Sequence, residues 1–152
     1  MRIIVQRVHE ASVTIDHTIV GAIGKGLCVF VGMCHTDQQK DVAFLAKKVV
    51  RLRVFPDAAG KMSQSVVDIH GDIIIISQFT LYGNCKNGCR PDFTEAAPPS
   101  LAEPLYEAFV LEVERELGKP PQTGRFREKM DVALINDGPV TLVIDSQDAR
   151  SL

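Results

Sequence analysis

The sequence predicts an α+β fold, a mainly antiparallel sheet curving into a barrel-like core with two principal helices packed outside it. The first third of the chain breaks into short apolar or alternating runs of strand length, and two later stretches repeat apolar residues at helical spacing. Two further apolar runs close the chain around Asn136-Asp137-Gly138-Pro139. With 152 residues, 45% of them hydrophobic and 24% charged, the chain suits one domain with a real core and is neither disordered nor fibrous.

Residues 2–8 and 11–15 read as strands, with His9-Glu10 as a hairpin turn between them. Residues 17–23 alternate more loosely after a second turn at Asp16-His17, and residues 27–33 form a continuous apolar strand between glycines. From Asp37, a candidate cap, the period becomes helical, with Val42, Leu45, Ala46, Val49 and Leu52 on one face and Pro56 barring continuation. Residues 66–69 suggest a short strand, and Ile73 to Ile76 a buried one running into Ser77-Gln78-Phe79-Thr80-Leu81. A Gly-, Asn- and Pro-rich connection follows, carrying Lys86 and Arg90. The second helix starts at a Ser100/Glu103 capping box or at Pro104 and buries Tyr106, Phe109, Val110, Val113 and Leu117. Strands at 132–135 and 140–144 close the fold, and the residues from Ser146 read as a frayed tail.

The formal net charge of −2 excludes a global basic field of the kind that binds nucleic acid, so any RNA contact needs a local patch. Two candidates exist. The first helix sets Lys40, Lys47, Lys48, Arg51 and Arg53 against Asp41, and the segment 119–129 sets Lys119, Arg125, Arg127 and Lys129 against Glu128, with Phe126 between its two arginines. A solvated face is the commoner explanation for the helix cluster, and a solvated loop accounts equally well for the segment. The second helix is acidic outside and should turn away from any polyanion.

No secretory leader opens the chain and no apolar run approaches the length of a membrane span, which predicts a soluble, cytoplasmic protein without a membrane partner. Cys28, Cys34, Cys85 and Cys89 then read as free thiols. Cys85-x-x-x-Cys89 lacks zinc-knuckle spacing, so neither a metal nor a cofactor is expected. His9, His17, His35 and His70 are scattered over turns and loops, and no hydrolase triad, phosphate loop or dinucleotide fingerprint is present. What remains is a strand end bearing hydroxyl and amide groups, which reads either as a pocket rim or as polar groups satisfying nearby backbone.

Ser77-Gln78-Phe79-Thr80-Leu81 and Asn136-Asp137-Gly138-Pro139-Val140-Thr141 resemble the two signature motifs of the D-aminoacyl-tRNA deacylases, the chirality-proofreading enzymes of translation. Val5-Gln6-Arg7-Val8, Ala11-Ser12-Val13-Thr14, Gly24-Lys25-Gly26-Leu27, Ala97-Pro98-Pro99, Leu105-Tyr106-Glu107-Ala108-Phe109 and Thr123-Gly124-Arg125-Phe126 match in order, so the resemblance spans nearly the whole chain.

The resemblance implies hydrolysis of the ester between a D-amino acid and the acceptor end of tRNA, with no DNA partner. It implies a homodimer in which the Gly138-Pro139 motif, its peptide bond cis, reaches the partner's active site and excludes L-residues by its carbonyls. Glycine, lacking a side chain, would pass. Catalysis would rest on Ser77, Gln78, Phe79 and Thr80. Thr80 is a weak nucleophile without a base, so the backbone N–H groups of Phe79 and Thr80 are the preferred oxyanion donors. Phe126 and Met130 would line the adenosine end, Arg7 would hold the Gly138-Pro139 loop, and Lys86, Arg90 and Arg125 would contact tRNA. Competing readings are a protein that binds an RNA end or a small molecule without turnover, and a general esterase. Cys85 and Cys89 depart from the polar or basic residues more usual in that loop.

Overall fold

The computed structural model describes residues 1–148. The chain runs β1 (Arg2–Ile15), β2 (Thr18–Ile23), β3 (Gly26–Gly32), α1 (Gln39–Arg51), β4 (Phe55–Pro56), β5 (Met62–Gln64), β6 (Asp72–Ser77), a 3-10 turn (Phe79–Tyr82), α2 (Pro99–Leu117), β7 (Gln122–Thr123) and β8 (Asp131–Asp145). The main sheet has the order β2-β1-β3-β6-β7, and β8 also pairs with β1.

The sheet is mainly antiparallel, as expected, but it includes a parallel part that the sequence did not indicate. β1 pairs antiparallel with β2, β3 and β8, while β3–β6 and β6–β7 are parallel. Parallel neighbours need a crossover, and the two long helices supply them: α1 lies between β3 and β6, and α2 between β6 and β7. The helices therefore share one face of the sheet. The edge strands nearly meet, because a Cβ on Gly21 of β2 would lie 2.7 Å from the carbonyl oxygen of Thr123 in β7. Only glycine permits that approach.

Alternate residues of the central strands face two apolar cores. Leu27, Val29, Val31, Ile73 and Ile75 pack with Val42, Leu45 and Val49 of α1 and with Tyr106, Phe109 and Val113 of α2. Cys28, Ile74 and Ile76 face the barrel interior with Val8, Ala11, Val13 and Ile23. Burial on both faces explains why β3 and β6 are apolar runs without alternation. The four cysteines are free, Cys28 and Cys34 buried and Cys85 and Cys89 exposed.

Several local expectations are corrected. His9-Glu10 is no turn, since β1 runs through it and shifts register against β8 there. The closing strands are one strand, β8, whose pairing to β1 resumes beyond residues 137–140. Residues 66–69 form hydrogen-bonded turns, closed by Ile69 N–H to Ser65 O and Gly71 N–H to Val66 O. Gln38 caps α1, in a reciprocal box with Asp41. Asp37 is instead buried and accepts from the Cys34 N–H and the Met1 amino group. α2 starts at Pro99 behind Pro98, whose extended backbone suits a residue before proline, and Pro104 lies inside the helix. Ser146 is buried and bonds to Met1, so the chain is ordered there; the rest of the expected tail, residues 149–152, lies outside the described residues.

Ile75→Ala should cost about 2–5 kcal/mol by leaving a cavity between β6 and both helices. Leu111→Ala, on an α2 position 63% exposed, should change stability by no more than about 0.5 kcal/mol. Urea unfolding of the two variants checks the contrast.

Candidate active site

The strand end of β6, the start of α2 and the turn before β8 surround a cavity of about 570 Å³, within the size range of small-ligand sites. Ile76, Ser77, Gln78 and Phe79 form one wall, Ala97, Pro99 and Ala102 another, and Phe126, Arg127, Glu128, Met130 and Val132 a third. Phe93 completes it and packs edge-on against Phe79, with ring centroids 5.2 Å apart.

Each wall is fixed by a specific contact. Gln78 N–H donates to Val31 O at 2.8 Å, prolonging the β3–β6 pairing to the point where the chain turns into the 3-10 segment. Arg2 anchors the far end of that segment, donating to Leu81 O at 3.0 Å, lying over the Tyr82 ring and pairing with Asp145 at 3.0 Å. The Tyr106 hydroxyl donates to Ile75 O at 3.1 Å, tying α2 to β6, and burial pushes its pKa up to about 12. The Tyr106 ring also supports Phe126 at 5.7 Å.

Helical turns leave their first N–H groups without internal partners. No hydrogen bond among the described residues takes up the N–H of Phe79 or Thr80, which open the 3-10 turn. The Thr80 hydroxyl accepts from the Gln78 side-chain amide. No histidine or carboxylate contacts it among the described residues: His35 bonds Thr94 O, and His9 lies beside Asp137. Oxyanion stabilisation by backbone donors thus fits this rim better than a base-activated threonine.

Ser77, Gln78, Phe79, Phe126 and Met130 line the cavity, and Thr80 follows the lining residues directly. Gly138, Pro139 and Arg7 do not line it. Gln6 pairs with Thr141 and Val8 with Asn136, so residues 137–140 bulge out of β8 opposite Arg7. Arg7 holds the bulge through Asp137 at 2.9 Å, and Asn136 braces it by donating to Arg7 O at 2.9 Å and Val140 O at 3.1 Å. The Gly138–Pro139 peptide bond within it is cis. Lys86 and Arg90 stand in the exposed loop pinned at its base by reciprocal Asn84–Asp92 backbone bonds, and Arg125 is exposed beside the cavity without lining it. Sequence reasoning missed Phe93, Ala96, Pro99 and Ala102, which periodicity does not mark because tertiary packing alone brings them here. Arg127 and Glu128 fell within the basic segment already singled out.

The fold, a mixed barrel with two crossover helices, is shared with solved proteins. A solved "probable eukaryotic D-amino acid tRNA deacylase" shares it at a TM-score of 0.83 and 15% identity, covering 94% of this chain and 97% of that one. A solved c-Myc DNA Unwinding Element Binding Protein superposes at a TM-score of 0.89 with 38% identity, over 95% of this chain and 98% of its own. The chain belongs to the D-Tyr-tRNA(Tyr) deacylase family, whose model matches residues 4–145. A D-aminoacyl-tRNA deacylase of Bacillus cereus (strain AH187) is 52% identical over 147 residues, covering 97% of this chain and all of that protein. One from Bacillus anthracis matches to the same extent.

Arg7→Ala should lower stability by about 1.5–3 kcal/mol, the range for hydrogen bonds to charged groups, and Asp137→Ala by a similar amount. A double-mutant cycle followed by urea unfolding should show the two losses to be strongly non-additive.

Proposed function

We propose that this protein hydrolyses the ester linking a D-amino acid to the 3′-terminal ribose of tRNA, releasing the free amino acid and tRNA. The observation that carries the reading is the cavity rim at Ser77–Thr80, with the N–H groups of Phe79 and Thr80 unclaimed, in a chain 52% identical over nearly its full length to D-aminoacyl-tRNA deacylases. Water adds to the ester carbonyl, and negative charge grows on the carbonyl oxygen. The acyl C–O bond then breaks, and the ribose oxygen leaves with a proton. The two N–H groups stabilise the developing oxyanion, a contribution worth about 10²–10³ in rate per donor in comparable sites. The neighbouring ribose hydroxyl positions the water. Ser77 and Gln78 shape the rim, Phe126 and Met130 take the terminal adenosine, and Lys86, Arg90 and Arg125 approach the acceptor strand.

The site is shared between two copies of the chain. Gly138 and Pro139 crown a bulge of β8 outside this chain's own cavity, and the same strand exposes Ile135, Leu142 and Val143. Docking that strand against a second copy would cover these side chains and carry the bulge into the partner's cavity. There the carbonyls of Gly138 and Pro139 would grip the α-ammonium group and leave room for hydrogen alone where an L-side chain would stand. A D-side chain points outward, and glycine fits without one. This exclusion sorts substrates by chirality without a pocket for any particular side chain. No helix among the described residues is long and apolar enough to cross a membrane, and the substrate places the reaction in the cytoplasm.

Release of amino acid from D-aminoacyl-, L-aminoacyl- and glycyl-tRNA tests the reading. The D-ester should turn over at least about 100-fold faster than the L-ester, a barrier difference near 2.7 kcal/mol, and the glycyl ester should be cleaved too. Comparable L-ester cleavage, or binding without turnover, would overturn it. Thr80→Ala should keep activity within about tenfold if the backbone donates to the oxyanion, whereas near-complete loss in a folded variant would assign the hydroxyl as nucleophile.

A further inference from the structure

Arg127 occupies a backbone position that suits glycine. Glu128 N–H donates to Arg125 O at 3.3 Å, closing a four-residue turn in which Arg127 is the third residue. Its φ is +67°, while Phe126 before it keeps the usual negative sign. That pattern is a type II turn, whose third position favours glycine because any Cβ crowds the following carbonyl. An arginine there is strained relative to glycine.

Among the described residues no polar partner offsets this strain. Arg2, Arg7, Arg51 and Arg115 each pair with a carboxylate. Among the described residues Arg127 has no hydrogen bond and no ion pair, even with Glu128, its neighbour on the cavity wall. The strained position nevertheless puts Arg127, exposed and without an ion-pair partner among the described residues, in the cavity lining together with Phe126 and Met130. Backbone strain that persists at a cavity without an internal partner points to a ligand contact.

We propose that Arg127 is the anchor of a phosphate subsite, its guanidinium binding the phosphodiester immediately 5′ to the terminal nucleoside. This rests on the RNA-end reading above and extends it. The apolar and aromatic lining around Phe126 and Met130 suits a nucleoside, which leaves the next group along the strand, a phosphate, for the nearest unpaired cation. Guanidinium matches phosphate oxygens in a two-pronged geometry that an ammonium does not reproduce. Exposed Arg125 and Lys129 flank Arg127 and extend the cationic surface outward.

The test compares wild type, Arg127→Gly and Arg127→Lys. Each is titrated with the RNA tetranucleotide ACCA and with adenosine over a salt series, and each is unfolded in urea. Arg127→Gly relieves the turn, so its urea midpoint should equal or exceed that of wild type, which separates lost binding from lost folding. Its affinity for ACCA should fall about tenfold, and the slope of log K against log salt should shrink by about 0.7, the value for one single-strand phosphate contact. Adenosine binding should not change, and Arg127→Lys should keep most of the salt slope. Wild-type affinity and slope in Arg127→Gly would overturn the subsite, as would an equal loss for adenosine or a wild type without measurable affinity for ACCA. Hydrolysis of D-aminoacyl-tRNA by the wild type is read separately. Its absence would remove the deacylase reading, while an Arg127-dependent salt slope would still support the phosphate subsite.

Discussion

The parallel pairing of β3 with β6 is the constraint from which the rest of the architecture follows. Both strands are buried on both faces, so apolar surface must cover each side. On one side the two crossover helices supply it; on the other the sheet curls until β2 and β7 nearly touch at Gly21 and Thr123. The pairing also demands close backbone contact, since a Cβ on Gly26 would sit 1.9 Å from the Asp72 carbonyl oxygen. Burial on both faces, helices on one face and a curved sheet are consequences of the same pair of strands.

The cavity lies where this arrangement ends. β6 leaves the sheet at Ser77, and the chain turns at once into the 3-10 segment, facing α2 and residues 126–130 across the cavity. A short 3-10 turn begins there with unclaimed N–H groups, held by Gln78 to Val31 on one side and by Arg2 on the other. Donors positioned at the end of a buried strand are held in place, which suits the oxyanion role proposed for them. The β8 bulge follows a different logic. It hangs from an outer strand that among the described residues pairs with β1 alone, and polar braces from Arg7 and Asn136 keep it in shape.

Charge is distributed by the same division of labour. Acidic groups on α2 are partly engaged within the fold, Glu112 by Arg115 and Glu116 by Arg51. The arginines and lysine beside the cavity have no such partners among the described residues. A net charge near zero therefore coexists with an unpaired basic rim at the site, as suits a protein that touches one end of a polyanion and must release it.

Strand and helix content was legible from the sequence because apolar spacing reports local burial directly: β3, β6, α1 and the buried face of α2 stand where the periodicity put them. The strand end after Ile73 to Ile76 was legible as polar groups emerging from a core, but its spacing left open whether they rim a pocket or satisfy nearby backbone, and the cavity decided between the two. The sequence by itself did not determine whether neighbouring strands run parallel, because the residues of β3 and β6 would be apolar in either direction. It also left open that residues 2–15 form a single strand, that Asp37 turns inward to meet Met1, and that Phe93 and α2 close the cavity. Those outcomes depend on which surfaces meet after the helices cross over, and a property that arises between distant segments has no local spacing to announce it.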